Sequence, residues 1–215
     1  VRPDFDCLVR KRGSVLLMCL LIAVTLASPM ADDRPHLGAA LALVVLFSVL
    51  VGTRLSANRK IVMRVVLPLS AAWIAIRTAE GVKFRPHETN FAGHVIGLAL
   101  ACTILLAIFD RLGTCEVTTS VIAEAFITYI IIAIAFGELF WLINAAAADS
   151  FHPKLSRARG TDFLYFSMTT LTSLGFGDIV PANPFVKLVA ALESMAGMFY
   201  IAVVVARLAG FFRRK

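Results

Sequence analysis

Between Thr169 and Asp178 the chain reads Thr-Thr-Leu-Thr-Ser-Leu-Gly-Phe-Gly-Asp. Gly175 and Gly177, two residues apart, allow φ > 0 without a Cβ penalty, and a short extended stretch built this way turns its successive carbonyls to one side. Carbonyl oxygens gathered on one axis replace the water around a cation. Ser173 adds a hydroxyl at one end of the row, and Asp178 puts a carboxylate beyond the other. The chemistry implied is coordination of a dehydrated cation, with no bond made or broken. A Gly-x-Gly-Asp run is also an ordinary tight loop between helices, so its flanks decide.

Upstream, Gly160 breaks the chain, Thr161 is placed to cap, and residues 162–172 form a predicted helix about 16 Å long. That is roughly half of a bilayer core. A re-entrant half-helix ending in mid-membrane turns the negative end of its dipole toward a central cavity, which favours a cation there. Downstream, Asp178-Ile-Val-Pro181 closes the return, and a long apolar helix is predicted over 185–212 with Gly197 inside it. Close packing against a small neighbour is the plain explanation of such a glycine.

The chain is 59% hydrophobic, has a mean hydropathy of +0.84 and carries only 16% charged residues, which excludes an ordinary soluble domain. Apolar stretches at about 14–30, 37–53, 61–76, 91–109, 121–143 and 185–212 read as six spans. Basic clusters at Arg10-Lys11-Arg12, at Arg59-Lys60 and at Arg213-Arg214-Lys215 place both termini in the cytoplasm by the positive-inside rule. Arg77, Lys83 and Arg85 fall on the opposite side, against that rule. The first span, with its basic start and Thr25-Leu-Ala27, also has the look of a secretory signal peptide, whose removal leaves five spans. The net charge of +7 is accounted for by loop topology and anionic lipid headgroups, so no nucleic-acid partner is expected. Cys7, Cys19, Cys102 and Cys115 match no metal-site spacing, and neither a disulfide nor a cofactor is expected.

The run Thr172-Ser173-Leu174-Gly175-Phe176-Gly177-Asp178 resembles the Thr-Val-Gly-Tyr-Gly-Asp selectivity filter of the potassium-channel superfamily. Ser, Leu and Phe stand where that signature has Thr, Val and Tyr. The first two keep the oxygen and the apolar packing, whereas Phe176 lacks a hydroxyl that ties the filter to its surroundings. Gly197 lies twenty residues after Gly177, about the offset of the family's inner-helix hinge, and the stretch from Leu192 to Arg207 is similar to pore-lining helices of the prokaryotic branch. The resemblance is specific over about 163–212.

It implies an all-α membrane protein with a four-helix N-terminal block over 1–115. An outer helix, re-entrant pore helix, filter and inner helix follow over 116–215, assembled as a homotetramer in the plasma membrane. Potassium is then held at Ser173, Leu174, Gly175 and Phe176. Tyr165, Thr169 and Glu193 support the filter, with Tyr165 as a donor to Asp178. For Glu193 the residues themselves leave two readings, a hydrogen bond to the back of the pore helix through Thr169 or Thr170, which is favoured, and a ring of carboxylates at the cavity. Ser194, Met198, Ile201 and Val205 share one helical face and line the cavity.

The stretch 91–109 carries no Arg or Lys, so a gate driven by a voltage sensor is not expected. His94 reads as an interfacial hydrogen-bonding residue and Trp141 as an interfacial anchor. A weakly selective cation channel, a secondary transporter with broken helices and a non-conducting subunit are the rival readings. Enzymatic chemistry finds no nucleophile elbow, histidine cluster or phosphate-binding glycine loop. Phe176→Tyr, by returning the missing hydroxyl, is expected to slow current decay; an unchanged decay would separate that hydroxyl from inactivation.

Overall fold

The computed structural model describes residues 68–73, 75, 91–112, 119–147, 149–153 and 159–212. The expected spans at 14–30 and 37–53, most of the span at 61–76, and the charged loop containing Arg77, Lys83 and Arg85 lie outside them. The elements run α1 (Phe91–Leu112), α2 (Thr119–Ala146), β1 (Phe151–His152), α3 (Gly160–Leu171), β2 (Val180–Pro181) and α4 (Pro184–Phe212). The chain divides into two compact units, and the second, His87–Ala101 with Tyr129–Lys215, holds the side-chain contacts and the site described below.

Among the described residues two helices are long and apolar enough to cross a membrane, Ala125–Ala146 within α2 and Pro184–Arg207 within α4. Between them α3 has only 12 residues, about 18 Å, and cannot span. One feature departs from an all-helical reading: β1 and β2 pair antiparallel, Phe151 with Pro181 and His152 with Val180. This small ribbon ties the segment after α2 to the segment before α4. Beside it the Ala182 N–H donates to the Ser150 carbonyl (2.8 Å), and the Asn183 side chain accepts the Val186 N–H (2.8 Å), capping α4.

A cluster of aromatic rings fills the space enclosed by α2, β1, α3 and α4. Phe140 meets Phe166 edge to face at 4.9 Å between centroids, and Phe151 meets Phe163 at 5.5 Å and Phe166 at 5.2 Å. Val186 and Ala190 of α4 close the cluster. Edge-to-face geometry suits the ring quadrupoles, so these contacts add to the burial itself. Gly137 is required by the close approach of α2 to α3, because a Cβ there would lie 3.1 Å from the Leu164 Cα.

The N-terminus of α3 starts two residues earlier than the sequence implies. Asp162, the third helical residue, accepts the Arg159 backbone N–H at 2.8 Å, so Arg159 rather than Thr161 is the capping position.

His94 makes the side-chain hydrogen bond expected of it, with Glu138 as the partner, and stacks on Trp141. Both are buried, with their rings stacked at 3.6 Å and 13°. His94 Nδ1 lies 2.5 Å from Glu138 Oε2, which docks the N-terminal part of α1 on α2. The sequence showed His94 and Glu138 separately, forty-four residues apart, with nothing in either segment to pair them. His94→Ala removes the partner of a largely buried carboxyl and is expected to lower stability by about 1.5–3 kcal/mol. A fall in the melting temperature of the purified protein would show it, and an unchanged melt would mean that the pair contributes nothing.

Candidate functional site

The site is built from the C-terminal end of α3. The last carbonyls of any helix lack partners within it, and here each of the last four has a donor. Met168 O accepts the Thr172 N–H at 3.1 Å and the Thr172 hydroxyl at 2.6 Å. Thr169 O takes the N–H groups of Leu174 (2.9 Å) and Gly175 (3.2 Å), and Thr170 O takes that of Ser173 (3.0 Å). Leu171 O accepts the Tyr129 hydroxyl of α2 at 3.0 Å. The strand that follows α3 therefore hangs from the helix by its own backbone.

In that strand φ is positive at every second residue: 59° at Ser173, 52° at Gly175 and 82° at Gly177. Glycine accounts for two of these without strain. Ser173 is the residue the sequence did not single out for this conformation, since no residue-type signal marks a serine for the left-handed region. Residues 172–178 are exposed throughout.

At the far end the Tyr165 hydroxyl is hydrogen-bonded to the Asp178 side chain. The Tyr165 ring lies parallel to that of Phe176, within 2°, at a centroid distance of 6.3 Å. At the near end Ser173 Oγ is 3.1 Å from Ser194 Oγ of α4.

The buried stripe of α4 is Val186, Ala190, Glu193 and Gly197, spaced for one helical face. Glu193 is wholly buried and bonds through Oε1 to Ser167, not to Thr169 or Thr170. Thr169 instead turns its hydroxyl back to the Phe166 carbonyl at 2.9 Å and reaches the strand through its own carbonyl. Ser167 Oγ also lies 2.7 Å from the Ala133 carbonyl of α2, so one serine joins three helices. Its burial follows from the same helical face as Phe163 and Phe166, a signal present in the sequence but not used. Met198, Ile201 and Val205 are exposed on the face that begins at Ser194.

Gly197 packs against α3. A Cβ there would come within 2.1 Å of the Leu171 carbonyl oxygen, closer than any real contact. Close helix approach thus explains this glycine on the structure as it stands.

Among the described residues, two helices long and apolar enough to cross a membrane flank a short helix and a segment of alternating left-handed residues. Residues 117–214 match a family model described as an ion channel. No curated protein and no solved structure matches the chain.

Gly197→Ala is expected to push α4 off the end of α3 at a cost of about 1–3 kcal/mol. Its melting temperature should fall together with its activity. Altered opening with an unchanged melt would instead assign the glycine to a hinge.

Proposed function

We propose that this chain forms a potassium-selective channel, a homotetramer in which residues 172–178 of four copies face a common axis. The observation that carries this reading is the alternation of positive φ at Ser173, Gly175 and Gly177, suspended from a half-helix too short to cross the bilayer. Such a backbone presents successive carbonyls to one side, and rings of carbonyls replace the hydration shell of a cation. Leu174, Gly175 and Phe176 then contribute carbonyls, Ser173 adds its hydroxyl, and Asp178 raises the cation concentration at the outer mouth. One strand makes no ring, so closure requires copies related by a rotation axis.

The surface of α4 supports assembly. Only 17% of its spanning window is buried, against 50% for that of α2, so most of α4 is left for lipid and for other copies. Leu192, Met195, Phe199 and Val203 are apolar residues exposed in this way. The basic clusters favour cytoplasmic termini and an outward-facing filter in the plasma membrane. With no Arg or Lys in residues 91–109, gating does not rely on that helix as a voltage sensor.

Purified protein in liposomes, driven by a potassium gradient with a matched sodium control, tests the reading. Flux with potassium alone, blocked by barium, is the expected result, while equal flux with sodium would favour a weakly selective cation channel. Gly175→Ala places a Cβ at φ 52°. The strain is about 1–2 kcal/mol at each copy, and selective flux should be lost. Retained selectivity in that variant would contradict the assignment of this strand as the filter.

A further inference from the structure

Ser173 is the only non-glycine residue at positive φ among the described residues, and it stands where the strand leaves the pore helix. A left-handed serine is held there only if its surroundings over-determine it. Its N–H is fixed by Thr170 O, and its hydroxyl meets Ser194 Oγ at 3.1 Å. Ser194 is itself anchored from both sides. Its neighbour Glu193 is wholly buried against Ser167, and Gly197, one turn on, lies against Leu171. That turn of α4 has little freedom to shift without dragging the end of α3 with it.

A hydroxyl has one proton and two lone pairs. If Ser173 Oγ is to offer a lone pair to a cation on the axis, its proton must point away and needs an acceptor. Ser194 Oγ is in place to accept it. Inside a helix a serine is free to direct its own proton to the carbonyl one turn back, which keeps its lone pairs available.

We propose that Ser194 is a positioning residue for the innermost cation site, acting through the hydroxyl of Ser173 and linking α4 to the filter. This inference rests on the channel reading above. Without Ser194 Oγ the Ser173 proton loses its acceptor and is free to turn toward the axis, where it repels the ion. The consequence is weaker binding of a dehydrated monovalent cation at the inner end of the filter. Displacement of α4 during gating would break the same contact, so the site and the helix change state together.

The test compares wild type, Ser194→Ala and Ser194→Thr as full chains in liposomes, reading flux against potassium concentration and the potassium-to-sodium ratio. Ser194→Ala should raise the half-saturating potassium concentration about threefold to tenfold and lower the ratio. Ser194→Thr, which keeps the hydroxyl, should restore both. Coincident curves for all three, or equal shifts in the Ala and Thr variants, would overturn the proposal. A wild type without potassium-selective flux would contradict the channel reading instead. The pair is then decided by potassium titration of the melting temperature in detergent: a shift weakened in Ser194→Ala alone supports the proposal, and identical shifts or none overturn it.

Discussion

The end of α3 is the constraint on which the rest of the structure depends. The last carbonyls of a helix have no partners within it, and each needs a donor. The chain supplies donors from three places: the strand that follows, the Thr172 hydroxyl, and Tyr129 of α2. Meeting that requirement shapes the strand, because Leu174 and Gly175 both turn their N–H groups back to Thr169 O. Positive φ at Ser173 and Gly175 accompanies this return.

Position is then set by packing between backbones. Gly137 lets α2 approach α3, and Gly197 lets α4 approach its end. The aromatic cluster of Phe140, Phe151, Phe163 and Phe166 fixes the opposite end. Between these two anchor regions Ser167 joins the Ala133 carbonyl and Glu193. A carboxyl group buried in this way is costly unless bonded. Among the described residues its second oxygen, Oε2, has no hydrogen-bond partner.

Much of the pore half was legible because its signals are local. Hydropathy located α2 and α4, and chain length identified α3 as a half-helix. The glycine spacing located the left-handed positions at 175 and 177. What escaped was non-local or independent of residue type. Ser173 has no glycine to announce its φ, and the partner of Glu193 depended on which of several hydroxyls in α3 faces inward. His94 and Glu138 carry no mutual signal in uniformly apolar helices, and spacing alone does not reveal the stacking of Trp141 on His94. The two-residue strands are too short for any alternation to register. Gly197 illustrates a different limit: its position was evident, but only the distance to Leu171 reveals close approach as a reason for it.

In the proposed channel the strand from Ser173 to Gly177 selects potassium by backbone coordination. The most direct measurement is the reversal potential of current through the reconstituted protein with potassium on one side of a bilayer and sodium on the other. A large reversal potential, of the sign that opposes potassium leaving its own side, is the predicted result. A reversal potential near zero, with current carried equally by both ions, would contradict the claim.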